Sequence, residues 1–172
     1  MHEIELTFLI KEIPEGIKNS PKNEMLDIYL PSNSEHASLR IRKSGEKMEI
    51  TKKEPVHGTD SSFQLEKTIP LTKDEYSELA TIGGKRVEKT RFYYKESGVD
   101  YEIDIFKGDL YGLVLVDVEF KSLEEKAKFV KPDWCLVEVT QEKFIAGGML
   151  AGKKYSDIEK DLEKYNYKKI SF

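Results

Sequence analysis

Three things are scarce in this chain, and each scarcity excludes a class of protein. Cys135 is its only cysteine, which excludes an intramolecular disulfide framework and a zinc site built from several cysteines. No apolar run approaches the ~20 residues that cross a bilayer. The N-terminal stretch MHEIELTFLIKEI carries acids instead of the basic start of a signal peptide. We therefore expect a cytoplasmic protein that has no membrane partner.

Basic residues are also no more abundant than acidic ones. The 172 residues include 28 Lys and Arg and 32 Asp and Glu, which gives a formal net charge of −4 at pH 7. A nucleic-acid-binding domain is usually basic, so we expect no nucleic-acid partner. Charge of both signs is abundant, however, because 35% of the residues are charged, against roughly 25% in an average globular domain. The length predicts a single domain over residues 1–172 and leaves a homodimer open.

Alternation of apolar and polar residues with period two runs through most of the chain and is typical of half-buried strands. It predicts eight strands, at residues 2–10, 38–43, 48–53, 63–69, 86–94, 99–106, 112–120 and 134–140. Helical patterns fall at 73–81, at 123–128 and near 156–165, where Ser156 is the expected N-cap. The predicted fold class is α+β, mainly antiparallel β, and eight such strands can close into a barrel without open edges.

Like-signed charges recur two residues apart on the polar faces of five predicted strands. The five pairs are Glu3/Glu5, Arg40/Arg42, Lys89/Arg91, Glu102/Asp104 and Asp117/Glu119. Solvent exposure accounts for the charged residues on any single strand, because a half-buried sheet normally turns its polar face to water. Like charges on one strand face repel each other, however, and they become tolerable when opposite charges, a cation or an anionic ligand lie between them.

Two orientations of these faces are consistent with a closed barrel. If the charges point outward, the interior is apolar, as in a carrier of lipid-like ligands. If they point inward, the barrel is a charged tunnel whose outer apolar face suits coverage by the helices at 73–81 and 156–165. Such a tunnel can bind a polyphosphate on its basic residues and a hard divalent cation on its carboxylates. Those are the requirements of phosphoryl transfer.

Seven short motifs follow one another along nearly the whole chain. They are Glu3-Ile4-Glu5, LRIR at 39–42 with Gly45 and Thr51-x-Lys53, Glu66-x-x-Ile69-Pro70-Leu71, Lys89-Thr90-Arg91-x-Tyr93, Glu102-Ile103-Asp104-x-Phe106, GLVLVDVE at 112–119, and Glu138-Val139-Thr140 with its neighbours. This series resembles the CYTH superfamily, also called the triphosphate tunnel metalloenzymes, whose strands carry ExExK, LRIR…G…TxK, KTRxx, ExDxF and GLVLAEVE. The first motif alone would be weak, but seven in order are specific.

The resemblance implies an eight-stranded antiparallel tunnel that hydrolyses a triphosphate, with water attacking the terminal phosphate and Mg²⁺ or Mn²⁺ as cofactor. The substrate would be inorganic triphosphate, a nucleoside triphosphate or thiamine triphosphate. Carried over by position, the metal-site residues are Glu3, Glu5, Glu102, Asp104, Asp117 and Glu119. The phosphate-binding residues are Arg40, Arg42, Lys53, Lys89, Arg91 and, as a displaced candidate, Lys153. The residues assigned to catalysis are Glu5, Glu66 and Lys89.

One residue departs from the family pattern, because Thr7 stands where ExExK has its lysine. A threonine hydroxyl can form hydrogen bonds but supplies no positive charge. Three explanations follow: a neighbouring lysine substitutes, the substrate differs, or the protein binds triphosphate or polyphosphate without efficient hydrolysis. A class IV-like adenylate cyclase, in which the ribose 3′-hydroxyl attacks the α-phosphate, is a further alternative for the same tunnel.

Overall fold

The computed structural model describes residues 2–172, and strands dominate it. The strands are β1 (His2–Ile10), β2 (Lys22–Leu30), β3 (Leu39–Ser44), β4 (Lys47–Pro55), β5 (Phe63–Pro70), β6 (Lys85–Glu96), β7 (Val99–Phe106), β8 (Val114–Phe120) and β9 (Cys135–Glu138). The α-helices are α1 (Lys73–Leu79), α2 (Leu123–Lys128), α3 (Gly147–Leu150) and α4 (Tyr155–Glu163). Among residues 2–172, no helix combines the length and the apolarity needed to cross a bilayer.

Strands β1 to β8 form a closed antiparallel barrel, which confirms the predicted fold class. Neighbouring strands follow the order β5-β4-β3-β2-β6-β7-β8-β1, and β5 also pairs with β1 to complete the ring. On one edge of β1, Glu3 lies opposite Gln64 of β5. On the other edge, β8 runs alongside most of the strand and places Glu119 opposite Glu5. The last residues of β1 pair with β9, which lies beside the ring.

The predicted ring has the right number of strands, but one of its members is wrong. The alternation predicts a strand at 134–140, which corresponds to β9 outside the ring, and it misses β2. The inward-facing residues of β2 are Asn23, Met25, Asp27 and Tyr29. They mix polar with apolar side chains, so β2 shows no clear alternation of hydropathy although its backbone is an ordinary strand.

The helices begin close to where capping residues predict. At α1, Thr72 Oγ1 accepts a hydrogen bond from the Glu75 N–H at 3.3 Å, and the Glu75 carboxylate accepts one from the Thr72 N–H at 2.7 Å. Ser156 as the cap of α4 is wrong, because the helix begins at Tyr155 and its N-cap position is residue 154. There Asp157 reaches back and accepts from the N–H of residue 154 at 2.8 Å. A carboxylate in the first turn thus satisfies the free N–H without a side-chain N-cap.

Coverage of the outer apolar face follows the prediction on one side only. Helix α1 packs Tyr76 against Ile28 and Ile41, as expected. The outer face of β1, β7 and β8 is covered by Ile17, Trp134 and other residues of the connecting segments. The expectation that the C-terminal helix covers this face is therefore wrong.

The C-terminal helices instead close one end of the barrel. Inward-facing positions become apolar at the same end of five strands; these residues are Leu9, Tyr29, Val87, Phe106 and Leu115. Leu150 of α3 and Leu162 of α4 pack against them in one cluster. A Cβ atom at Gly147 would lie 2.0 Å from the Tyr29 hydroxyl, so a larger residue there would force Tyr29 or α3 to shift. We call this cluster the apolar plug, and it makes the tunnel blind at that end.

Candidate active site

The barrel turns its charged faces inward, which confirms the predicted charged interior. Opposite charges from different strands meet there: Lys53 of β4 pairs with Glu3 of β1, and Arg91 of β6 pairs with Asp104 of β7. The alternate residues of these strands point outward. Ile103, for example, is buried with Ile17 and Trp134 on the outer face of the barrel. The alternative of an apolar-lined carrier is therefore wrong for the part of the barrel that these charges occupy.

A cluster of acids lies around Lys53, far from the apolar plug along β1. The Lys53 ammonium group pairs with Glu3 and lies 3.7 Å from Glu5 Oε1 and 3.4 Å from Glu66 Oε2. Glu119 lies directly across from Glu5 on β8, and Glu3 is close enough to raise the pKa of Glu119. We call Glu3, Glu5, Glu66 and Glu119 the acid cluster.

Negative charge is in excess within the acid cluster, and the pKa values reflect this. Burial and three neighbouring carboxylates raise the pKa of Glu5 to about 8, although Lys53 opposes the shift. Burial and nearby acids likewise raise the pKa of Glu119 to about 7. Burial would lower the pKa of Lys53, but Glu5 and Glu3 outweigh it and raise the value. A cation bound beside Glu5 and Glu119 would therefore replace protons that these two carboxyl groups hold.

On the other wall of the tunnel, Asp104 orders two cations. Its oxygens accept hydrogen bonds from Nε and Nη2 of Arg91, each at 2.6 Å, and Oδ2 also pairs with Lys89. Arg91 extends to Glu102 and, at 3.3 Å, to Asp117. Burial would raise the pKa of Asp104, but Arg91 and Lys89 outweigh it and hold the value well below its usual range. Asp104 is therefore an ionised anchor for the two bases.

Arginines of β3 complete the basic part of the tunnel. Asp27 accepts hydrogen bonds from Nε and Nη2 of Arg42, each at 2.6 Å. Burial would lower the pKa of Arg40, but Tyr29 and Asp27 outweigh it and raise the value. The Nε of Arg40 is buried and has no hydrogen-bond partner among the residues that the structure describes. A buried N–H without an acceptor is costly. An anion bound in the tunnel would satisfy it.

Thr7 occupies the lysine position of ExExK with a neutral donor. Its hydroxyl donates to Asp117 Oδ1 at 2.7 Å, and its backbone N–H donates to Thr140 Oγ1 at 3.0 Å. The acids near Thr7 pair with cations from other strands. Lys53 of β4 lies near Glu5, and Arg91 of β6 lies near Asp117. The positive charge absent at Thr7 thus has two local sources.

Most residues that the sequence assigns to the site line the tunnel together. The exception is Lys153, which follows α3 and whose backbone N–H bonds to Leu150 of the plug. Sequence reasoning missed Asp27 and Tyr29, because it missed β2. The signal was the two-residue spacing that places them on the inward face of that strand.

Cations pair with the acids of the tunnel in this structure. Within residues 2–172, no group of three or more His, Cys, Asp or Glu side chains is placed to hold a metal ion. Lys53 lies among the acid cluster, and Arg91 lies between Glu102 and Asp117. Carboxylate oxygens are nevertheless the ligands that Mg²⁺ and Mn²⁺ prefer. Glu5 and Glu119 are register partners on β1 and β8, which places two such ligands side by side on the inward face.

Comparison with known proteins finds relatives over most of the chain. An inorganic triphosphatase of Nitrosomonas europaea is 36% identical over 144 residues, which cover 83% of this chain and 92% of the relative. The crystal structure of an inorganic triphosphatase superimposes with a TM-score of 0.64 at 30% identity and covers 88% of this chain and 95% of its own. No protein-family model matches the chain.

A more distant structure shares the fold alone. It is a putative adenylate cyclase of Bacillus halodurans, with a TM-score of 0.54, 15% identity, and coverage of 99% of this chain and 92% of its own. At this identity the match shows the barrel architecture and gives no information about activity.

Proposed function

Since this chain belongs to the inorganic triphosphatase family, we propose that it hydrolyses inorganic triphosphate to pyrophosphate and orthophosphate. Water attacks the terminal phosphorus, the bond to the bridging oxygen breaks, and pyrophosphate leaves. The observation that carries the proposal is the inward basic wall with an unsatisfied guanidinium N–H at Arg40. Phosphate oxygens are strong acceptors with the geometry that arginine prefers.

The phosphates would bind along the basic wall. Arg40, Arg42, Lys89 and Arg91 already lie in one buried region, with Asp27 and Asp104 ordering three of them. Cations held in place before the substrate arrives lose little side-chain entropy on binding, which favours affinity. They also stabilise the charge that spreads over the phosphate oxygens in the transition state.

We propose that Mg²⁺ or Mn²⁺ binds at the acid cluster, through Glu3, Glu5 and Glu119, with Asp117 and Glu102 nearby. A bound divalent ion would neutralise phosphate oxygens and lower the pKa of a water molecule. The raised pKa of Glu5 supports this choice, because it reflects the repulsion of neighbouring carboxylates, which a bound cation would relieve. Asp104 has both oxygens on Arg91 and Lys89, so we place it as an anchor of the bases.

Lys53 would link the two halves of the site. Its ammonium group lies among Glu3, Glu5 and Glu66, and a cation bound to the acids would free it to turn toward the substrate. Glu66 also accepts a hydrogen bond from Thr68 at 2.8 Å, which fixes its carboxylate for orienting water. Glu5, Glu66 and Lys89 stay the proposed catalytic residues.

The apolar plug supports a short inorganic substrate. A long polyphosphate cannot thread through a tunnel that ends at Leu9, Tyr29 and Leu150. The inner wall offers charged groups in preference to the apolar surface that a base or thiazole ring would bury. We further propose that the protein acts in the cytoplasm, as the sequence predicts.

A substrate panel with product identification tests the function. The protein is treated with a chelator and supplied with tripolyphosphate, ATP or thiamine triphosphate, with Mg²⁺, Mn²⁺ or no metal. We expect orthophosphate and pyrophosphate from tripolyphosphate only when metal is present, and a loss of this activity in Glu119→Gln. Cyclic AMP and pyrophosphate from ATP would favour the cyclase. Tight binding of tripolyphosphate without turnover would favour the non-catalytic alternative.

A further inference from the structure

Asp27 is an acid in the middle of the basic wall, and its position calls for a reason. It is 1% exposed, it lies directly across from Arg42 on β3, and Arg40 and Lys89 are close enough to affect its charge. Resting on the proposed function, we infer that Asp27 is a positioning residue that holds the Arg42 guanidinium in the orientation that binds a phosphate of the substrate.

The contact between the two residues is a two-point clamp. Oδ1 of Asp27 accepts from Nε of Arg42 and Oδ2 accepts from Nη2, both at 2.6 Å. Two parallel hydrogen bonds fix the plane of the guanidinium as well as its position. Both side chains are buried, with relative exposures of 8% for Arg42 and 2% for Asp27. Neither hydrogen bond uses Nη1, the third nitrogen of the guanidinium.

Stability alone does not explain a buried acid at this place. A buried ion pair often contributes no more than well-packed apolar residues would, because both charges lose their hydration. Asp27 also reduces the positive potential that attracts a polyanion. The benefit that offsets these costs is order, because arginine has a long side chain whose freedom would otherwise be lost when the substrate binds.

The alternative role for Asp27 is simple charge compensation, and the two roles predict opposite results. Asp27→Asn makes the tunnel more positive by one charge. If Asp27 only compensates charge, the variant binds tripolyphosphate more tightly than the wild type. If Asp27 positions Arg42, the variant binds more weakly, by on the order of 10- to 100-fold, because a misplaced group loses its contact with the ligand.

Calorimetric titration of the full chain with tripolyphosphate in a chelator measures this binding, and steady-state kinetics with Mg²⁺ measures KM and kcat. For Asp27→Asn we expect a large rise in KM and a much smaller change in kcat. In an Arg42→Met background, Asp27→Asn should cause no further loss of affinity, because the group that Asp27 positions is gone. Glu49→Gln is the matched control: Glu49 is the register neighbour of Arg42 on β4, and its removal changes the charge by the same amount but takes away neither hydrogen bond of the clamp.

Asp27→Glu keeps the charge and decides the case if Asp27→Asn does not fold. One added methylene displaces the clamp, so weaker binding with an unchanged Tm supports positioning. A folded Asp27→Glu variant with wild-type affinity overturns the inference but leaves the proposed function standing. Tighter or unchanged binding in Asp27→Asn, or an undiminished effect in the Arg42→Met background, also overturns it. A wild-type protein that neither binds nor hydrolyses tripolyphosphate overturns the proposed function itself.

Discussion

Replacing Glu5 by glutamine is expected to stabilise the metal-free protein, and the gain should grow with pH. The Glu5 side chain is 14% exposed, and its pKa is raised from 4.5 to about 8, first by burial and then by neighbouring carboxylates. A carboxyl group with a raised pKa binds its proton more tightly in the folded than in the unfolded chain. Its stabilising contribution is therefore complete below about pH 4.5 and is lost as the pH rises through 8.

The size of the effect follows from the shift. Each unit is worth about 1.4 kcal/mol, so the rise from 4.5 to about 8 corresponds to a loss of up to about 5 kcal/mol in the free energy of unfolding. This value is a ceiling, since Glu119 titrates in the same range and the two groups share their protons. Glutamine at position 5 is neutral throughout, so the variant does not undergo this loss.

Urea unfolding in a chelator, from about pH 5 to about pH 8, measures the difference between Glu5→Gln and the wild type. Glu66→Gln is the control of opposite sign: burial opposes, but Lys53 and Thr68 outweigh it and lower the pKa of Glu66. That variant should be less stable than the wild type above about pH 4.5. At the upper pH, Mg²⁺ should restore the wild type more than Glu5→Gln. A stability difference that does not change with pH would refute the reasoning.

Three further predictions test other parts of the site. Arg42→Ala should raise the KM for tripolyphosphate by about 10- to 100-fold, because a forked phosphate contact is lost; unchanged kinetics would contradict its assignment. Leu150→Ala should reduce the free energy of unfolding in urea by about 2–5 kcal/mol, since it leaves a cavity in the apolar plug; a neutral result would argue against the plug. Thr7→Lys should raise the metal concentration needed for half-maximal phosphate release, because it adds a cation beside Asp117; a gain of activity would instead favour the non-catalytic alternative.

The local features of the tunnel could be predicted from the sequence alone. Side chains alternate sides along any strand, so Glu3 and Glu5 must share a face, and so must Arg40 and Arg42. The same regularity predicts that their apolar neighbours lie on the other face. The failure to predict β2 shows the limit of this reasoning. Met25 and Tyr29 share a face with Asp27, so the strand lacks the alternation of apolar and polar residues that would identify it.

Only the tertiary structure decided which way those faces point and what each charge touches. Alternation is a property of the backbone over a few residues, whereas closure depends on β1 meeting β5 across the chain. The pairing of Asp27 with Arg42, the bond from Thr7 to Asp117 and the plug formed by the C-terminal helices all join distant segments. The sequence thus determined which charges this protein would place side by side on each strand. Packing decided which of them would be anchored by a partner and which would be left with excess charge, because burial and opposite charge are properties of the assembled barrel.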